Sequence, residues 1–390
     1  MKVFKNIMAI TLALSMLLSS FIFVNAQEKS QEIKETMPFD VEAKSAYVIE
    51  TNSGTVLYKK NENEKIAPAS ITKIMTLLLV MEAIDKGKMK LEDMVSVSDH
   101  ASKMGGSQIW LKPGEKMSVN DLLKATAIAS SNDASVALGE VIGGTEEGFV
   151  KLMNKRAKDL GMKDTNFKNA CGLDAEGHLT TAHDIGIMSM ELLKYEKITE
   201  YTSVWMDSLR GGATELVNTN NLVRFYDGCN GLKTGTTDDA GSCLSASAKR
   251  GDMQIISVTL GSSNTAERQK TARTLLDYGF NGFEVAKSSI DPKTIKEIKV
   301  IGGQGYTADI YVDMSEKVLV EKGKSGDIKQ KVEIASEIKA PVQKDQTVGK
   351  ITCTLDGKTI KEYPIKVKQG VEKLDFLYSY YLLAKNILKL

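Results

Sequence analysis

The sequence predicts an α/β (α+β) main domain, built as an antiparallel sheet flanked by helices, then a small all-β domain and a terminal amphipathic helix. Three observations predict it. β-rich runs near residues 46–58 and 231–260 bracket a long helical block, one helix of that block is apolar almost all round, and beyond residue 287 the chain turns to short strands of alternating polarity. At 390 residues the chain is too long for one core, so more than one folded unit follows from length alone. Its 42% hydrophobic and 26% charged residues are ordinary for a globular protein.

Residues 1–26 read as an export signal: Lys2 and Lys5, an apolar stretch from Ile7 to Val24, and the small-residue ending Val24-Asn25-Ala26 before Gln27. The stretch approaches the ~20 residues that span a bilayer, so an uncleaved anchor is the rival reading. Both put the remainder outside the cytoplasm. A polar linker, 27–36, leads to the main domain at 37–286. There the runs 46–50 and 55–58 flank Asn52-Ser53-Gly54 as a hairpin. From Ser70 to Ile84 the residues Ile71, Ile74, Met75, Leu77, Leu78, Leu79, Val80 and Met81 leave no polar face, which predicts a helix buried on every side. Helical patterns follow at 119–129, 134–142 and 147–160. The runs 231–236, 243–248 and 253–260 read as antiparallel strands, with a helix over 265–278 packed on them.

The β-rich domain spans 287–368. Ile298/Val300, Val318/Val320 and Val332/Ile334 alternate with polar residues there, and Leu355-Asp356-Gly357-Lys358 is a two-residue hairpin signal. Residues 369–390 place Leu374, Leu377, Tyr381 and Leu388 at helical spacing. The longest uncharged run, Phe376 to Ala384, is too short to span a membrane. Its tyrosines among leucines predict a helix lying on the cell-membrane surface, with docking on its own β-domain or on a partner as the other option.

Without the leader, 49 Lys and Arg stand against 50 Asp and Glu, a balance that gives no positive field to hold nucleic acid. The three histidines and four cysteines show no metal-ligand spacing, so neither a metal nor a cofactor is expected. Cys229 and Cys243 fall toward opposite ends of the hairpin over 229–250, too far apart to bridge, and free packed thiols are predicted.

The chemistry concentrates in three short motifs. Ser70-Ile71-Thr72-Lys73 opens the all-apolar helix, where a spacing of three sets an ammonium beside a hydroxyl. A buried lysine is costly, and a desolvated one near another cation loses its proton and becomes a base that activates serine. The bland reading is a helix-capping serine with a surface lysine, and Ser336–Lys339 matches the same spacing as noise. Ser130-Ser131-Asn132 breaks two helical patterns and points a hydroxyl and an amide into whatever cleft they line. Ser118–Asn120 and Ser262–Asn264 also fit S-x-N, so capping and turn roles compete. Lys233-Thr234-Gly235-Thr236, unique in the chain, offers a cation, hydroxyls and a glycine on an edge strand along which a substrate backbone can lie. Lys233 would attract a carboxylate and disfavour a charge on Lys73.

S-x-x-K, S-x-N and K-T-G in that order are a recognised signature of penicillin-binding proteins and class A β-lactamases. With Pro68-Ala69, Gly105-Gly106-Ser107-Gln108, Asp133-Ala134, Gly172-Leu173-Asp174, the run 180–184 and Gly231-Leu232, the chain resembles the low-molecular-mass D-alanyl-D-alanine carboxypeptidases over nearly all of its mature length. The resemblance implies a penicillin-binding/β-lactamase-like fold. It implies Ser70 as nucleophile, Lys73 as base, Ser130 as proton relay and Asn132 as a contact to the substrate amide. Lys233 would be the electrostatic anchor in the substrate-binding run Thr234, Gly235 and Thr236, Arg268 would help bind the terminal carboxylate, and the N–H groups of Ser70 and Thr236 would form an oxyanion hole. Its partners would be a peptidoglycan stem peptide ending in D-Ala-D-Ala and β-lactam antibiotics. Thr236 stands where some relatives carry histidine, and Glu176 lies too far beyond Ser130 to act as the deacylating glutamate of class A β-lactamases. A serine β-lactamase, marked by fast penicillin turnover, and a non-catalytic wall-binding protein, marked by no acylation, are the alternative readings.

Overall fold

A strand in which adjacent side chains are all apolar needs cover on both faces, and that requirement organises the main domain. The structure, a computed structural model, describes residues 39–286 and 290–387; the export signal and the linker lie outside them. Strand β1 (Ser45–Glu50) is buried along its whole length. It forms the predicted hairpin with β2 (Val56–Lys60) and pairs on its other side with β5 (Met253–Ser262), placing Val48 opposite Ser257. With β3 (Cys229–Thr237) and β4 (Gly241–Arg250) the sheet order is β2-β1-β5-β4-β3, so β3 is an edge. Chain ends far apart in sequence thus meet in one antiparallel sheet, as expected.

The pleat sorts β1 between two cores. Ala46 and Val48 pack with Leu275, Leu276 and Phe280 of α6 (Thr265–Gly282), while Tyr47 and Ile49 join the helical block on the other face. That block holds α1 (Lys73–Asp85), α2 (Val119–Ala127), α3 (Asn132–Gly143), α4 (Glu146–Asp159) and α5 (Ala182–Leu193). Sequence periodicity had no reading for α5, which lies against both α1 and the sheet. Its Gly186 lets Tyr47 approach so closely that a Cβ would sit 2.8 Å from the ring, and Ser189 meets Ser245 of β4 at 2.9 Å between hydroxyls.

The expected helix from Ser70 begins later. Ala69–Thr72 is a 3₁₀ turn and the α-helix starts at Lys73. Ala69 has a φ of 48°, a left-handed setting costly for a residue with a Cβ, and it turns the chain so that Ser70 sits at the helix mouth.

In the second domain a six-stranded sheet runs β10-β12-β13-β8-β7-β11, from β7 (Glu297–Ile301), β8 (Thr307–Val312), β10 (Lys329–Ile334), β11 (Glu337–Lys339), β12 (Thr347–Leu355) and β13 (Lys358–Val367). The hairpin signal is realised: Leu355 pairs with Lys358, and Asp356 and Gly357 take φ values of 50° and 76°. Two expectations fail here. Val318 and Val320 do not extend this sheet. Strand β9 (Leu319–Glu321) pairs instead with β6 (Phe283–Val285), and Leu319 packs into the α6 core, tying the two domains together. Val332 and Ile334 alternate correctly, yet they stay exposed on β10, which is an edge strand.

The terminal helix is shorter than 369–390. Val371 and Lys373 form bridges to Val342 and Gly303, and the Leu374 N–H donates to the Gly302 carbonyl, so this stretch clasps the β-domain before α7 (Phe376–Ile387) begins. All four cysteines are free, and Cys229 and Cys243 pair with Ala248 and Gly235 toward opposite ends of the hairpin.

Candidate active site

The site forms where the 3₁₀ turn, the break between α2 and α3, the edge strand β3 and a loop at 169–173 converge. Glycine makes the convergence possible at two points. A Cβ on Gly235 would lie 2.8 Å from the Ser70 nitrogen and 2.9 Å from the Ala69 Cβ, so only glycine lets β3 run against the turn. Gly172, at φ 91°, approaches so closely that a Cβ would strike the Ala69 carbonyl.

Lys73 lies at the centre and is fully buried. Its Nζ is 2.9 Å from Ser70 Oγ, 2.6 Å from Asn132 Oδ1 and 2.6 Å from the Cys171 carbonyl oxygen. Ser70 itself remains partly accessible. Burial pushes the Lys73 pKa down to about 8, against the opposing pull of Cys171 and Asp133. The sequence predicts both burial and crowding by Lys233 as causes, and Lys233 is not among those that set the shift. Desolvation is the larger effect because no solvent reaches the amine.

Lys233, on β3, is 1% exposed, and its Nζ donates to the Thr234 carbonyl at 3.1 Å. Burial, then Lys73 and Arg268, hold its pKa well below the ordinary lysine value. Arg268 reaches in from α6, buried rather than on the surface, and its Nη1 donates to the Gly235 carbonyl, Thr236 Oγ1 and the Cys243 carbonyl at 3.2–3.4 Å. Its Nε has no partner among the described residues. Among the described residues no carboxylate forms an ion pair with Lys73, Lys233 or Arg268. Cations gathered with so little compensation make a pocket that favours an anion.

Ser130 is buried in the break, with φ 62°. Thr234 Oγ1 donates to Thr219 Oγ1 at 2.7 Å, and Thr236 Oγ1 to the Gly235 carbonyl at 2.8 Å. All nine predicted site residues therefore lie on the elements that meet here. The competing matches fall elsewhere: Ser118 and Asn264 cap α2 and α6, accepting from the Asp121 and Glu267 N–H groups, and Glu176 is exposed.

Sequence reasoning missed the supports. Buried Asp133, next to Asn132, accepts from the N–H groups of Ile109 and Leu111 at 3.1–3.3 Å, and from Ala134 at 2.9 Å. This fixes the 105–111 segment, whose Gly105 carbonyl accepts from Asn132 Nδ2 at 2.6 Å and whose Ser107 carbonyl accepts from the Asn132 N–H at 2.7 Å. Thr76 Oγ1 donates to the Ala170 carbonyl at 2.6 Å, holding the loop that brings the Cys171 oxygen to Lys73. Gly105-Gly106 was visible as a motif, but nothing local announces that a backbone carbonyl at 171 meets a side chain at 73. Among the described residues no group of three His, Cys, Asp or Glu could hold a metal ion.

Comparison with known proteins agrees with this geometry. Residues 29–264 match the family model described as D-alanyl-D-alanine carboxypeptidase, and residues 283–373 match the penicillin-binding protein 5 C-terminal domain. The D-alanyl-D-alanine carboxypeptidase DacF of Bacillus subtilis is 46% identical over 351 residues, 89% of this chain and 90% of that protein. Among solved structures, penicillin-binding protein 5 from Haemophilus influenzae superposes with a TM-score of 0.77 at 31% identity, covering 87% of this chain and 100% of its own. Penicillin-binding protein D2 from Listeria monocytogenes, solved in ampicillin-bound and cefotaxime-bound forms, superposes with a TM-score of 0.58 at 32% identity, covering 63% of this chain and 100% of its own.

Proposed function

The chain belongs to the D-alanyl-D-alanine carboxypeptidase family, and from that premise we propose how its own residues carry the reaction on a peptidoglycan stem peptide. The observation that carries the reading is the hydrogen-bond inventory of Lys73. Of its three neighbours, Asn132 Oδ1 and the Cys171 carbonyl can only accept, and Ser70 Oγ alone can donate. The ammonium donates to all three; once it gives up a proton, as its pKa of about 8 allows, two N–H bonds remain for the two acceptors and the lone pair turns to the Ser70 hydroxyl. Lys73 is therefore the base and Ser70 the nucleophile.

Ser70 Oγ attacks the penultimate D-Ala carbonyl as its proton passes to Lys73 Nζ. The tetrahedral oxyanion forms beside the N–H groups of Ser70 and Thr236, a pairing supported by the close approach of Gly235, the residue before Thr236, to the Ser70 nitrogen. The C–N bond then breaks, Ser130 passes the proton to the departing D-alanine amine, and water hydrolyses the ester to free Ser70. Lys233 and Arg268, with Thr234 and Thr236, hold the terminal carboxylate. The anion restores to Lys233 the charge that burial disfavours, and a neutral Lys73 removes one of the repulsions against it. Asn132, already committed to Lys73 and Gly105, orients the base as well as meeting the substrate amide.

β-Lactams acylate the same serine, in keeping with the drug-bound forms of the Listeria protein. The test is labelling by a fluorescent penicillin, together with D-alanine release from a D-Ala-D-Ala peptide. Both are expected to vanish in Ser70→Ala; a label that survives overturns the assignment, and rapid penicillin turnover without D-alanine release points to a β-lactamase.

We further propose that the protein is exported by residues 1–26 and held to the outer face of the cytoplasmic membrane by α7. Among the described residues no helix is long and apolar enough to cross a membrane. On α7, however, Phe376, Leu377, Tyr380, Tyr381, Leu383 and Ile387 are all exposed, the composition of a helix that lies in a headgroup region.

A further inference from the structure

The loop at 169–173 presents the Cys171 carbonyl to Lys73, so the geometry of the base depends on where that loop sits. Cys171 and Gly172 donate their N–H groups to Asn169 Oδ1 at 3.2 and 2.6 Å. Asn169 belongs to the loop, so it fixes the loop's shape but not its place. The place is set from outside, at buried Ala170. Its carbonyl accepts from Thr76 Oγ1, on the same helix as Lys73, and its N–H donates to Glu146 Oε1 at 2.9 Å. A carboxylate from α4 thus anchors the backbone one residue before the carbonyl that faces the base.

Glu146 is itself held from several sides. It is the first residue of α4, where the helix dipole favours a negative charge. The start of α4 is locked against the end of α3, since a Cβ on Gly148 would lie 2.2 Å from the Gly143 carbonyl oxygen. The other carboxylate oxygen, Oε2, lies 2.6 Å from His100 Nε2. A carboxylate can only accept, so the imidazole donates. The Glu146 side chain is 12% exposed, and little water competes for it. His100 is half-exposed and stands on the turn Asp99–Ser102. That turn leads into Gly105, whose carbonyl accepts from Asn132 Nδ2. One carboxylate therefore ties together the two backbone segments whose carbonyls fix Lys73 and its partner Asn132.

We infer that Glu146, clamped by His100, is a positioning residue for the base: through Ala170 it sets the distance of the Cys171 carbonyl from Lys73 without touching substrate. The inference rests on the reading of Lys73 as base, and the experiment separates the two. Acylation of the full chain by a chromogenic β-lactam is followed by stopped flow. Saturation resolves the limiting rate k2 from the dissociation constant of the noncovalent complex, and a thermal melt reports the folded fraction.

Glu146→Ala leaves the Ala170 N–H without its acceptor and frees the carbonyl beyond it. Its k2 is expected to fall on the order of tenfold, with the dissociation constant within about twofold of wild type. Glu146→Gln keeps an oxygen for Ala170 and should stay within about threefold of the wild-type k2. His100→Ala removes only the clamp and should lower k2 about threefold. A Glu146→Ala enzyme that melts lower yet keeps k2, one that loses affinity alone, or a Glu146→Gln enzyme as slow as Glu146→Ala overturns the inference. If Glu146→Ala does not fold, His100→Ala decides, and an unaltered k2 overturns it. Acylation of Lys73→Ala at the wild-type rate would instead sink the reading of Lys73 as base.

Discussion

If Lys73 is the base, the rate of acylation follows the fraction of that amine without a proton. With its pKa lowered to about 8, about a tenth of the enzyme is competent at pH 7, half at pH 8 and about nine-tenths at pH 9. Where the charge at position 233 is held fixed, as in Lys233→Arg, raising pH from 7 to 9 should therefore speed acylation about tenfold, with the curve flattening above pH 8. A lysine at its ordinary value of about 10.4 would give about a hundredfold rise over the same interval without any flattening. The sign is that of a cationic acid: lowering its pKa moves the rising limb to lower pH. Lys233 must keep its proton to hold a carboxylate, so its titration contributes a falling limb, and the two lysines share macroscopic constants. Lys233→Arg supplies a charge that does not titrate. This variant should bind more weakly, lose the falling limb and keep the rise near pH 8. The assay is stopped-flow acylation by a chromogenic β-lactam at constant ionic strength. A log-linear rise of unit slope through pH 9, or no dependence on pH, refutes the idea that burial primes Lys73.

Gly235→Ala places a methyl within 2.8 Å of the Ser70 nitrogen; the resulting displacement of β3 should slow acylation about a hundredfold while circular dichroism stays native. Asp133→Asn weakens a buried acceptor of three backbone N–H groups, at a cost of about 2 kcal/mol. It should lower the melting temperature by roughly 5 °C and loosen the carbonyls that hold Asn132, seen as a slower acylation. Truncation after Asp375 removes the exposed face of α7 and should reduce sedimentation with anionic lipid vesicles by at least about tenfold, leaving D-alanine release from a soluble peptide unaltered.

Much of the architecture was legible because it is governed by local periodicity. The apolar run of α1, the hairpin at Asp356-Gly357 and the alternation in the β-domain each follow from residues a few positions apart. The misreadings arose where the partner was distant. α5 carries buried Gly186 and Ser189 on its sheet-facing side, which dilute its apolar stripe, and β9 looked like its neighbours in sequence while pairing with Phe283–Val285.

The same division applies to the site. Residue type and short spacing in the chain were enough to specify the chemistry: a serine three positions before a lysine, a hydroxyl and an amide at a helix break, a cation followed by glycine on an edge strand. Only the folded arrangement decided that the Cys171 carbonyl and Asn132 Oδ1 would take two hydrogens of Lys73, that Asp133 would fix the segment behind them, and that Arg268 would be buried without a carboxylate. Hydrogen-bond patterns of one turn are set by neighbours in the chain, whereas desolvation depends on every atom that excludes water. The proton affinity of a buried amine is therefore a property of the whole fold.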